Sequence, residues 1–178
     1  MEELEDPTER LKETMEAAEE KKERWTMYVA LSTAIIAVLA AIAGLYGNHH
    51  ANEAMLDQIK SSDQWAYYQS KSIKAEITAS TATVLTAMGK PLPEVNEEKA
   101  KNYEKDKAEI RAKAEEAEKS SEAHMRQHIV LSRAVTIFQI AIAISAIAIL
   151  TRRKLMWYAS MALTLAGAYF LIQGFMTN

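Results

Sequence analysis

The four histidines, His49, His50, His124 and His128, are the side chains best placed by type and spacing to do chemistry. His49 and His50 close an apolar stretch, while His124 and His128 stand at i, i+4 just ahead of another. Two imidazoles one turn apart on a helix, joined by ligands from a facing helix, make a workable site for zinc, nickel or copper. Glu53, one turn from His49, could join such a set. Imidazole sheds its competing proton near neutral pH, so binding there is feasible. The plainer use of the same residues is interfacial packing or pH-dependent pairing, because four side chains on rotated faces need not converge. Without cysteine, and with no carboxylate pair beside it, the set specifies no particular reaction.

The other chemical signatures are missing. The chain has no cysteine, which excludes disulfides, thiol catalysis and Cys-type zinc sites. It has no P-loop, HExxH, GxSxG or EF-hand loop. The expectation is therefore a protein that is not an enzyme and has no resident cofactor, a transition metal at the histidines being the possible exception.

A second cluster, Asp63, Trp65, Tyr67 and Tyr68, followed by Ile73 and Ile77, suits protein contacts. Aromatics favour membrane interfaces, but residue 65 lies about 25 Å past the likeliest boundary on a continuous helix. Packing between helices, where Trp and Tyr bury area and keep a polar tip, is the plainer use, and a partner or ligand hot spot the sharper one.

Three apolar stretches position these residues. Residues 25–47, 133–151 and 155–176 each approach the roughly 20 residues that cross a bilayer as a helix, without an acidic residue inside and with basic residues only at their edges. The fold expected is an all-α membrane protein with three transmembrane helices. Residues 1–24 read as a charged helix, capped by Pro7 and Thr8, with a thin stripe of Leu4, Leu11, Met15 and Ala18. Their length and acidity favour a retained anchor over a cleaved leader.

Residues 48–132 read as a long antiparallel helical hairpin between the first and second transmembrane helices. Met55, Ile59, Ala66, Ile73, Ile77, Val84 and Ala87 recur at near-heptad steps. Gly89 to Pro93 (GKPLP) stops that helix. Tyr103, Ile110, Ala114, Ala117, Ser121, His124 and His128 then mark a second seam. Both seams are rich in small residues and bury little apolar area, so neighbouring copies should steady the arm, as a homo-oligomer.

Short positive loops stay in the cytoplasm. Lys21, Lys22 and Arg24 precede the first stretch, and the 152–154 loop carries Arg152, Arg153 and Lys154. The N-terminus is thus expected inside, with the hairpin and C-terminus in the periplasm. Trp157 and Tyr158 beside that basic loop read as a membrane anchor. Ala30/Ala34, Ala37/Ala41, Ala40/Gly44, Ala141/Ser145 and Ala162/Ala166 offer small faces for helix association. No carboxylate, lysine or histidine lies within the three stretches, unlike ion-coupled transporters, and Gln139 and Gln173 are their amides. The net charge of −3, with no basic aromatic stripe, gives nucleic-acid binding little support.

The strings GNHHANEAMLDQIKSSDQWAYYQSKSIKAEI, GKPLP and AVTIFQIAIAISAIAILTRRKLMWYASMALTLAG resemble the bacterial domain-of-unknown-function family 4337. That resemblance implies a prokaryotic inner-membrane protein of this architecture and no particular activity. Three roles fit the residues: an oligomeric scaffold whose arm binds an unidentified periplasmic or membrane partner, an oligomeric pore, and a metal-binding sensor at the histidines.

Overall fold

The computed structural model describes the backbone of residues 7–91 and 94–176, and the side chains of residues 14–16, 19–21, 23–91 and 102–176. Its elements are α1 (Pro7–Ala87), α2 (Glu94–Thr151) and α3 (Lys154–Met176), with no strand among the described residues. Each helix contains a segment long and apolar enough to cross a membrane. Of the thin N-terminal stripe, Met15 is exposed, while the side chains of Leu4, Leu11 and Ala18 lie outside the described residues.

Helix α1 runs unbroken for 81 residues because no proline follows Pro7 before Pro91. It ends in a Schellman cap. Gly89 sits at φ 68°, its N–H donates to Thr86 O, and the Lys90 N–H donates to Leu85 O, both at 3.0 Å. Glycine takes this left-handed conformation without a Cβ penalty, and Pro91 prevents further winding. Leu92 and Pro93 of the expected turn lie outside the described residues. At the end of α2, Arg152 adopts φ 54°, so the short basic link to α3 is a turn held by a residue that has a Cβ. Met156 N–H donates to Arg153 O at 3.1 Å to start the next helix.

The described chain forms two compact units, one comprising residues up to Gly47 with those from Ile129, the other Asn48–His128. In the first, α1 turns Val29, Thr33, Ile36, Ala40, Ala43 and Gly47 inward, α2 turns Leu131, Ala134, Phe138, Ala141, Ser145 and Ala148, and α3 turns Ser160, Thr164, Gly167, Leu171 and Gly174. All three rows step by alternating threes and fours, the 3.5-residue period of knobs-into-holes packing. Phe138 lies where a Cβ on Gly167 would come within 2.7 Å of its ring, and Leu131 lies against Gly174 in the same way. These are paired knobs and holes seven residues apart on each helix. Hydroxyls bridge the helices as well: Thr33 and Ser145 meet at 2.5 Å, and Ser160 donates to Ala141 O at 2.8 Å.

In the second unit, α1 turns Ala54, Asp57, Ser61, Gln64, Tyr68 and Lys71 inward. The facing row on α2 is Tyr103, Ile110, Ala114, Ala117, Ser121, His124 and His128, the positions its periodicity predicts. The apolar row of α1 behaves differently. Met55, Ile59, Ala66, Ile73, Ile77, Val84 and Ala87 are all exposed, so this row is the outer face of the helix and not its seam with α2. The physical reason is close approach: Ala and Ser on the other face let serine hydroxyls reach backbone carbonyls across the gap.

The Gly167 contact gives a direct test. Phe138 is fully buried, so its ring has little room to yield. Gly167→Ala should lower the stability of the full chain in detergent by about 1–3 kcal/mol, the usual cost of overpacking. Phe138→Leu in the same chain should recover part of that loss, which a double-mutant thermal unfolding cycle would measure.

Candidate functional site

The second unit holds the polar clusters, and its register follows from a reciprocal contact. Ser61 Oγ donates to Ala114 O at 3.2 Å, and Ser121 Oγ donates to Ala54 O at 2.8 Å. Each helix thus supplies an alanine and, seven residues later, a serine. Helix carbonyls keep a second lone pair after their own ladder bond, so the added donor costs no helical bond. All four residues are buried.

That register brings two of the four histidines together. His50 Nδ1 lies 3.0 Å from His124 Nδ1, with the rings stacked at 5.2 Å between centroids. One of these nitrogens must be unprotonated to accept the other's N–H. His49 is exposed, its ring 5.5 Å from that of His50. His128 and Glu53 are half-buried. Burial, then the proximity of His124 and His49, pushes the His50 imidazole below its ordinary value, while the Glu53 carboxylate pulls the other way. Among the described residues, no three His, Asp or Glu side chains are arranged to hold a metal ion.

One turn on, Asp57 is buried and accepts Ser120 Oγ at 2.6 Å and Lys60 Nζ at 2.8 Å. The bonds from Lys60 and Ser120 hold its carboxyl below the ordinary carboxylate range. Sequence reasoning missed this carboxylate. Its signal was its place three residues after Ala54 in the small-residue row.

The aromatic cluster is built around lysines. Trp65 meets Tyr68 edge-to-face at 5.6 Å. Lys71 Nζ lies 5.5 Å from the centroid of Tyr67 and 5.4 Å from that of Tyr103, and Lys107 Nζ lies 5.8 Å from that of Tyr68. Lys71 also pairs with Asp106 at 2.6 Å, and that carboxylate raises the lysine above its usual range. The cluster therefore ties α1 to α2 through cation–π and ionic contacts. Lys71 follows Tyr67 by one turn, a spacing readable in the sequence; Asp106 and Tyr103 depend on register with the second helix. Ile73 and Ile77, grouped with these aromatics by sequence, instead face outward and line a shallow groove of about 480 Å³ with Val84 and Leu85.

In the first unit, Arg152, Arg153, Lys154 and Tyr158 are exposed. Trp157 turns partly inward, and its Nε1–H donates to Ser32 Oγ at 3.1 Å. Of the small-residue pairs, Ala141/Ser145 is buried and Ala40/Gly44 half-buried, whereas Ala30/Ala34, Ala37/Ala41 and Ala162/Ala166 face outward.

Residues 25–177 match the model of the family described as Domain of unknown function (DUF4337). The chain belongs to that family. No curated protein and no solved structure matches it. In this DUF4337 protein the family match covers every cluster described above, from the Ser32–Trp157 contact through the histidine pair to the aromatic–lysine ladder.

A pH response of the second unit of this DUF4337 protein follows from His50. Its folded value lies below the 6.5 of a free imidazole, so the unfolded chain binds more protons below that pH. The His50–His124 contribution is fully present above pH 6.5 and is lost as pH falls through the lowered value. Asp57 adds a second loss as pH falls below 3.8. Hydrogen exchange at residues 50–61, corrected for intrinsic rates, should be faster at about pH 5.5 than at about pH 7.5. His50→Gln should remove most of that difference; an unchanged difference would assign it to other groups.

Proposed function

We propose that this protein is a non-enzymatic, homo-oligomeric protein of the bacterial inner membrane. In this reading three helices cross the bilayer, and the helical hairpin between the first and second projects into the periplasm, where it scaffolds or binds a partner. The N-terminus is cytoplasmic, because Lys21, Lys22, Arg24 and the Arg152–Lys154 loop supply positive charge to one side.

The observation that carries the reading is the outward apolar row of α1. Met55, Leu56, Ile59, Ile73, Ile77 and Val84 are each more than half exposed, at 51–61%. Among the described residues of this unit, the buried apolar ones are Ala54, Ile110 and Ala114. An arm with most of its large apolar side chains outside gains more from a neighbour than from itself. Rows at 3.5-residue spacing are self-complementary, so a second copy of the chain is the simplest cover. Tyr67, exposed beside Lys71, leaves part of the aromatic–lysine cluster open to a further protein partner.

The chain lacks cysteine, so single cysteines introduced at Ile59, Ala66 and Ile73 report on this face alone. Each should trap subunit pairs in native membranes; a purely monomeric pattern would sink the reading. Ile73→Glu with Ile77→Glu should weaken self-association by about a hundredfold or more, the burial of two isoleucines expressed as a dissociation constant.

A second reading, metal binding, draws on the His50–His124 geometry. Two nitrogens 3.0 Å apart can take adjacent positions on an ion with bonds of about 2.0–2.1 Å. His49, Glu53 and His128 are the side chains near enough in sequence to add to the pair. Metal content of the purified protein should fall with His124→Ala and His128→Ala together; unchanged content removes the reading.

A further inference from the structure

In the apolar segments of the first unit the hydroxyls have partners close by. Thr33 meets Ser145, Ser32 donates to Val29 O, and Ser160 donates to Ala141 O. Thr164 donates to Ser160 O, Thr136 to Ser132 O and Thr151 to Ile147 O. Trp25 Nε1 is buried without a partner among the described residues, but it lies beside Arg24 at the very edge of its segment.

Gln139 stands apart. It is exposed on the outward face of α2, and it has no hydrogen-bond partner among the described residues. It lies six residues beyond Arg133, about 9 Å along the helix. Thr136, on the same face, already satisfies its hydroxyl through Ser132 O, so it offers the amide no donor within its own helix. Ile140, Ile147 and Leu150 share the face and are exposed, as are the small residues Ala143 and Ala146.

This inference rests on the membrane-spanning, oligomeric reading above. We infer that Gln139 is an intramembrane contact between two copies of this chain, pairing with the same residue of the second copy. A primary amide carries two N–H donors and a carbonyl acceptor, and hydrocarbon satisfies none of them. The same amide on a second copy satisfies both kinds at once. Both copies insert with one orientation, so a two-fold axis along the membrane normal brings identical positions face to face and lets each amide donate to the other. Ala143 and Ala146 leave the backbones free to approach to the distance that this pairing needs. The amide selects the occupant: the small residues alone would fit any helix, whereas a donor–acceptor group repeated on the same face fits its own copy.

The test uses the full chain in vesicles of phosphatidylethanolamine and phosphatidylglycerol, with Ala143→Cys as an intramembrane trap and Ile73→Cys as a separate trap on the arm. Ala143→Cys should give crosslinked dimer. Gln139→Leu should weaken self-association about three- to thirtyfold, measured by energy-transfer dilution, as expected for one or two interhelical hydrogen bonds. Gln139→Asn, which keeps the amide, should restore part of the loss, a result that a merely apolar contact would not give. Three outcomes would overturn the inference in distinguishable ways. An Ile73→Cys dimer with no Ala143→Cys dimer, or with one indifferent to Gln139→Leu, leaves the oligomer but removes Gln139 from it. Monomer at both traps removes the oligomeric reading itself. Labelling of Ala143→Cys by a membrane-impermeant maleimide from the water places residue 139 outside the lipid and removes the membrane reading of this segment.

Discussion

A serine hydroxyl reaches the backbone of a neighbouring helix only when nothing larger than alanine separates the two. This contact joins α1 to α2 in the second unit, Ser61 on Ala114 and Ser121 on Ala54, and α3 to α2 in the first, Ser160 on Ala141. Each such bond is worth about 1 kcal/mol net. Its larger effect is on register, because a serine one step out of phase would lie buried with no acceptor, at a cost of about 1–3 kcal/mol. The alternating steps of three and four along α1, α2 and α3 keep alanine, serine, threonine and glycine in line to maintain this approach. Two large side chains that enter the row, Phe138 and Leu131, each face a glycine.

Small seams have a consequence for energetics. Hydrophobic stabilisation scales with apolar area removed from water, about 25 cal/mol per Å². A row of Ala54, Ser61, Ala114 and Ser121 removes little. The second unit compensates with specific polar contacts: the His50–His124 pair, Asp57 with Ser120 and Lys60, and Lys71 between two tyrosine rings and Asp106. Such contacts fix which residues face each other more than they add stability. The area that could stabilise the arm strongly lies on its outer face, in Leu56, Ile59, Ile73, Ile77 and Val84. On the oligomeric reading the division is sensible: polar and small groups define the arm's own register, and the large apolar groups are kept for assembly.

How legible this was in the sequence depended on which signal a residue carried. Helix extent was legible, since Pro7, Pro91 and the basic loop at Arg152 bound elements that contain no other breaker of consequence. The α2 row of the second unit was legible too: Ile110, Ala114 and Ser121 stood out against Glu and Lys, and all three are buried. The α1 row was not. Its apolar residues form the more obvious heptad, and periodicity alone cannot say whether such a row meets its neighbour in the same chain or faces away. What decided the matter was the size of the groups on the opposite face, which hydrophobic patterning ignores. The same blindness hid Gly167 and Gly174, seven apart, as holes for Phe138 and Leu131. Which imidazoles would meet was not legible: His50 reaches His124 through the register of α1 on α2, while His49, one position away and turned about 100° round the helix, stays exposed.

The inward row of α1 also changes its chemistry along its length without changing its period. Up to Gly47 it reads Val29, Thr33, Ile36, Ala40, Ala43 and Gly47, neutral throughout. From His50 it reads His50, Ala54, Asp57, Ser61, Gln64, Tyr68 and Lys71, so an imidazole, a carboxylate and an ammonium group enter the row. Geometry does not require the change, since the 3.5-residue step continues across it. Solvent does. A carboxylate at Asp57 is tolerable with a lysine and a hydroxyl on it and water within reach, whereas the same group among hydrocarbon chains would cost several kcal/mol more. On the membrane reading, the edge of the apolar slab therefore falls between Gly47 and Asp57, and His49 and His50 occupy that edge. A side chain with a neutral form available near pH 7 suits such a position better than any permanently charged one. The pairing of His50 with His124 depends on pH because an imidazole takes up a proton near neutrality, whereas the serine–alanine contacts beside it hold no group that titrates there.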